Sequence, residues 1–88
     1  MSRPAVSITY CADCGYLPQA TLLADALLRE FGAELSSLSL IPWHEGTFDV
    51  MIDDRLVHSM TREGGFPEPA AIGAALRTLI AARAVGRE

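Results

Sequence analysis

The chain has 88 residues and 9.5 kDa, 50% hydrophobic and 20% charged: enough apolar side chain for one core and too little chain for two, so residues 1–88 read as a single domain. Seven Lys+Arg against 11 Asp+Glu leave a net charge of −4 and a pI near 5.0, the wrong sign for nucleic acid or anionic lipid. Every one of those cations is arginine, so phosphate-loop, Schiff-base and general-base lysine chemistry are excluded together. No apolar run approaches the ~18–20 residues of a membrane span, and Met1-Ser2-Arg3-Pro4 lacks the hydrophobic stretch of a signal peptide, which predicts a cytoplasmic protein.

Ala5 to Tyr10 alternates Val6, Ile8 and Tyr10 against Ser7 and Thr9, the period of a strand that ends just before Cys11. From Ala20 to Phe31 the apolar residues Ala20, Leu23, Leu27 and Phe31, widened by Ala24 and Leu28, recur at helical steps. Gly32 is placed to cap that helix at its carboxyl end. Pro18 has no N–H and is harmless only in a first turn, so the helix is expected to begin near Cys14 or Gly15. Glu34 to Ile41, between Gly32 and Pro42, reads as a buried strand. Thr47 to Ile52 and Arg55 to Ser59 read as a hairpin turning at Asp53-Asp54. Thr61 to Gly65 reads as a loop leading through Phe66-Pro67 to a last helix from Pro69 to about Arg83, with Ile72, Leu76, Leu79 and Ile80 on its buried stripe.

The predicted order βαβββα calls for an α/β layer structure: a mixed sheet of four strands and two helices, the first two strands parallel across a crossover and the later ones antiparallel. With Cys-x-x-Cys between the first strand and the first helix, this is the core of a thioredoxin-like fold.

Cys11-Ala12-Asp13-Cys14 holds the only two cysteines, which excludes a disulfide-stapled secreted scaffold. The spacing lets one thiol attack a partner while the other resolves the mixed disulfide. Unpaired N–H groups at a helix start would favour a thiolate, and the Asp13 carboxylate opposes it, so the reactive thiol is expected to titrate between a strongly activated cysteine and a free one. Two buried cysteines packing as small hydrophobes would be the non-chemical alternative. A Cys₂His₂ zinc site with His44 and His58 is disfavoured, because those histidines stand 14 apart where zinc modules space them by about three to five residues; no metal is expected. His58 reads as a sheet-face residue and His44 as a loop residue. In this topology Pro42 to Thr47 returns beside the cysteines, and Gly46 and Thr47 are candidate substrate-binding positions where backbone N–H and C=O groups meet an extended segment. Trp43 would otherwise cover an end of the core, and Phe66 would plug it at the entry to the last helix.

Tyr10-Cys11-Ala12-Asp13-Cys14-Gly15-Tyr16 with Pro18 and Ala20, then Gly46-Thr47-Phe48-Asp49-Val50, Leu56-Val57-His58-Ser59 and Gly65-Phe66-Pro67, resemble the selenoprotein W-like (Rdx) family over residues of about 6–80. The resemblance implies a thioredoxin-like fold and a thiol-based oxidoreductase with no bound cofactor, linked to glutathione as reductant and to protein partners, including 14-3-3 proteins for the animal selenoprotein. It matches Cys11 to the family's first cysteine and Cys14 to the position of selenocysteine. The attacking residue therefore stays open: the first cysteine attacks in thioredoxin, whereas the selenium-containing members point to the second. With sulfur at both positions the chain is expected to exchange more slowly than a selenol. Gly46-Thr47 stand where thioredoxins carry a cis-proline, so the resemblance does not extend to thioredoxin's docking of substrates. The function expected is thiol–disulfide exchange through Cys11 and Cys14 with a protein thiol or glutathione. A protein-binding module of the same fold, in which the pair is a switch or a structural link, is the alternative.

Overall fold

The computed structural model describes residues 3–86; Met1 and Ser2, part of the amino-terminal reading above, lie outside the described residues. Strand β1 (Ala5–Cys11) buries Val6, Ile8 and Tyr10 as the alternation predicts and runs on to include Cys11. Helix α1 (Leu17–Phe31) begins later than Cys14 or Gly15. The cause is local: Gly15 N–H donates to Ala12 O in a tight turn that puts Gly15 at φ +78°, outside any right-handed helix, and Pro18 then falls in the first turn as its chemistry requires. Gly32 is not a left-handed cap. It sits at φ −50°, ψ −42°, and the chain continues through a 3₁₀ turn (Gly32–Glu34) that delivers Leu35, only 6% exposed, to the core.

Strand β2 (Ser37–Trp43) starts later than predicted, runs through Pro42, and is not buried: each of its residues is exposed or half-buried. Among the described residues it pairs only with β1, so its other edge has no strand partner there, and an edge is where a strand tolerates a proline without N–H. Its length and boundaries marked a strand, but the alternation of Leu38 and Leu40 with serines already belonged to a half-buried one. Strands β3 (Phe48–Ile52) and β4 (Arg55–Ser59) form the expected hairpin around Asp53-Asp54, with Thr47 left in the preceding turn and the register shifted between Val50 and Met51. A short helix α2 (Met60–Glu63) replaces the first part of the predicted loop, since four residues are too few to show a period. Helix α3 (Pro69–Gly86) starts where proline places it and runs past Arg83.

The sheet order is β2-β1-β3-β4, with β1 and β2 parallel and the other pairs antiparallel, so the fold is the α/β arrangement the pattern predicts. Val6, Ile8 and Tyr10 of β1 and Phe48, Val50 and Ile52 of β3 form one buried cluster with Ala20, Leu23 and Leu27 of α1 and Ile72 and Leu76 of α3. Leu79 and Ile80 pack against its edge. Each fully buried aliphatic side chain stabilises by roughly 1.5–3 kcal/mol. Arg77 of α3 lies 5.5 Å over the Phe31 ring and pairs with Glu30, fastening the two helices to each other as well as to the sheet. This packing fixes the end of β1 and the start of α1, and hence the segment between them.

Candidate redox site

Cys11 and Cys14 are bonded in a disulfide, with Cα atoms 5.4 Å apart. Cys11 closes β1 and is 0% exposed, whereas Cys14, in the turn between β1 and α1, is exposed. The buried sulfur is held by paired backbone: Cys11 N–H donates to Thr47 O at 2.7 Å, Ala12 N–H to Trp43 O at 3.0 Å, and Tyr16 N–H to Cys11 O at 3.3 Å. The turn of residues 12–15 thus hangs from a rigid strand end, and only its outer sulfur meets solvent.

The later start of α1 places Cys14 ahead of the N-cap residue Tyr16, in the turn that precedes the helix instead of in its first turn. Asp13 is exposed beside it.

The segment from Pro42 to Thr47 does return beside the cysteines. His44 to Thr47 is a turn in which Thr47 N–H (3.4 Å) and Thr47 Oγ1 (2.8 Å) both donate to His44 O. Glu45 (φ +64°) and Gly46 (φ +70°) both occupy the left-handed region, a conformation glycine adopts without strain. Of the two candidate binding positions, Thr47 spends its carbonyl on Cys11 N–H, and Gly46 forms the half-buried rim of the turn. Trp43 does not cover the core: the β1–β2 register sets it beside Cys11, 54% exposed and stacked on His44 with centroids 4.8 Å apart.

Phe66 is a partial plug. Its ring meets Tyr16 and Phe48 edge to face at 4.9 and 5.1 Å, yet it remains 40% exposed. His58, 9% exposed, fixes the approach: its Nε2 lies 2.6 Å from Gly65 O, and because a carbonyl only accepts, Nε2 carries the proton. Sequence reasoning gave His58 a place on the sheet but not this tether, which joins residues seven apart by a contact that no periodicity encodes. With His58 so engaged and His44 on Trp43, no group of three or more His, Cys, Asp or Glu side chains suited to a metal ion exists among the described residues. A groove of about 830 Å³ between the β3–β4 hairpin and α3 lies at the other end of β1, where Asp53 bonds Ala5, and includes neither cysteine.

No helix among the described residues is long and apolar enough to cross a membrane. No curated protein matches the chain. Among solved structures, a selenoprotein W-related protein from Vibrio cholerae is 28% identical, with a TM-score of 0.86 over 90% of this chain and 99% of that one. A protein from Bordetella parapertussis is 32% identical, with a TM-score of 0.83 over 86% of this chain and 96% of that one. These likenesses agree with the thioredoxin-like fold expected from the order of elements and the position of the cysteine pair. The model of the Rdx family matches residues 5–78, from the start of β1 into α3 and across both cysteines, and the chain therefore belongs to the Rdx family.

Proposed function

We propose that the chain is a thiol–disulfide oxidoreductase that cycles Cys11 and Cys14 between disulfide and dithiol, with Cys14 as the sulfur that meets the substrate. The observation that carries the reading is the asymmetry of the pair, one sulfur exposed in a turn and the other buried at a strand end within bonding distance. In the dithiol form the Cys14 thiolate attacks one sulfur of a substrate disulfide, and the other sulfur departs as a thiolate and takes a proton. The Cys11 thiolate then attacks Cys14 Sγ in the mixed disulfide, releasing the second substrate thiol and leaving the Cys11–Cys14 bond. Two electrons have passed from protein to substrate, and the reverse sequence with two external thiols restores the dithiol.

Gly46 and Thr47 serve as the backbone rim of this site, with Thr47 holding Cys11 through its carbonyl. Glutathione or a protein dithiol regenerates the reduced form. A reducing compartment such as the cytoplasm suits this cycle, because cysteine pairs there are transient and catalytic instead of structural.

Equilibration in graded thiol–disulfide buffers, followed by alkylation and mass measurement, tests the reading. It predicts one reversible two-electron transition with equal end points from either direction, and loss of disulfide-reducing turnover when both cysteines are replaced by serine. A pair that cannot be reduced without unfolding, or turnover that survives the double replacement, overturns it and leaves a binding module with a structural disulfide.

A further inference from the structure

The segments that carry the cysteine pair also carry exposed apolar and acidic side chains. Three of the large exposed hydrophobic side chains lie on segments that carry or adjoin the disulfide: Trp43 (54% exposed) paired with Cys11 in the β1–β2 register, Leu17 (47%) at the first position of α1, just after the Cys-x-x-Cys turn, and Phe66 (40%) against Tyr16 of the same stretch. Two exposed carboxylates join them, Asp13 inside the Cys-x-x-Cys turn and Glu45 on the turn whose Thr47 holds Cys11.

No arginine occurs between Arg3 and Arg29 or between Arg29 and Arg55, so both segments that build the site are without a permanent cation. His44, whose Nδ1 lies 3.9 Å from Glu45 Oε2, is the one titratable base in them. Arg62, ahead of the Phe66 loop, is spent on Glu63 at 2.6 Å.

We infer that the redox site takes a neutral or cationic polypeptide segment with an apolar side chain next to its cysteine, and that it disfavours anionic thiols and disulfides such as glutathione; this rests on the exchange reaction proposed above. Charge complementarity sets the sign. A positively charged partner is attracted to Asp13 and Glu45, an anionic one is repelled with no arginine in either of those segments to offset it, and Trp43, Phe66 and Leu17 supply contact area that a small disulfide cannot use. Glutathione then acts as a slow general reductant, and the polypeptide is the preferred partner.

The test measures the rate at which the reduced protein is oxidised by three disulfides of like chemistry: cystamine, which is cationic, 2-hydroxyethyl disulfide, which is neutral, and oxidised glutathione, which is anionic. Each is followed from about 0.02 to 0.5 M salt, across which screening removes interactions beyond a few ångström. The expected result is a cystamine rate that falls with salt, a glutathione rate that rises, and a neutral rate that stays flat, with the cystamine-to-glutathione ratio narrowing several-fold. Asp13→Asn with Glu45→Gln should narrow that ratio at low salt. Because both disulfides face the same nucleophile, any change in thiolate content cancels in the ratio. Trp43→Ala should slow oxidation by a cystine peptide bearing leucine and arginine more than oxidation by cystamine.

Opposed salt trends absent from the wild type, a ratio unmoved by the double substitution, or equal slowing of peptide and cystamine in Trp43→Ala overturns the inference while leaving the exchange reaction intact. Failure of all three disulfides to oxidise the protein overturns the exchange reaction itself.

Discussion

Asp53 ties the end of the sheet remote from the cysteines, and its contribution can be worked out from its contacts. Its Oδ1 accepts from Ala5 N–H at 3.0 Å, its own N–H donates to Ala5 O at 2.7 Å, its Oδ2 pairs with Arg83 of α3, and its backbone sits at φ +56°. Asp53→Asn keeps an acceptor for Ala5 and tolerance of the left-handed region but loses the ion pair. Because the partners are 34% and 37% exposed, that loss is discounted to about 0.5–1 kcal/mol. Asp53→Ala also loses the hydrogen bond and puts at φ +56° a residue that tolerates the left-handed region less well than Asp or Asn, for about 2–3 kcal/mol in all, or a Tm lower by roughly 10–20 °C.

The bond from Ala5 N–H, followed by Arg83, holds the Asp53 carboxyl below its ordinary range. A depressed carboxylate pKa stabilises the fold above the unfolded-state value, and that stabilisation is lost as pH falls through the folded-state value. Urea unfolding followed by circular dichroism should therefore show wild type and Asp53→Asn converging as pH falls through and below the ordinary carboxylate range, with the gap largest at neutral pH. Equal stability of Asp53→Asn and Asp53→Ala, or a wild-type advantage over Asp53→Asn that persists unchanged in acid, would refute the reasoning.

Two further outcomes follow from the geometry of the site. In the reduced protein, iodoacetamide should label Cys14 faster than Cys11 by about 30-fold or more, since reaching Cys11 requires breaking the bonds to Thr47 and Trp43 at about 1 kcal/mol each; peptide mapping of the adducts reads the ratio, and equal labelling contradicts the burial asymmetry. His58→Ala should cost about 1–3 kcal/mol and free Phe66 from Tyr16 and Phe48, visible as a loss of near-ultraviolet aromatic dichroism; an unchanged spectrum would show that Gly65 is held by other contacts.

What the sequence made legible follows the range of the signals. Alternation in β1, the stripe of α1 and the placement of Pro69 are local, and the elements they predict are found. The errors lie where tertiary geometry overrides a local cue. Gly32 has the sequence of a left-handed cap, but Leu35 must reach the core, and the chain turns right-handed instead. Pro18 limited where α1 could begin, while the choice of Leu17 depended on the turn that Gly15 makes at φ +78°. The cysteine pair was found from spacing and position alone. Its asymmetry was not, because the burial of Cys11 depends on Thr47 and Trp43, which are brought in by the parallel pairing of β1 with β2 and by the turn that follows.

The role of Cys14 is tested most directly by trapping. Cys11→Ser and Cys14→Ser are each reduced, mixed with a peptide disulfide, quenched in acid and analysed by mass. The account predicts that Cys11→Ser accumulates a stable mixed disulfide through Cys14, because the attacking sulfur is present and the resolving one is gone, while Cys14→Ser accumulates little or none. A mixed disulfide that forms preferentially through Cys11 in Cys14→Ser would contradict the assignment.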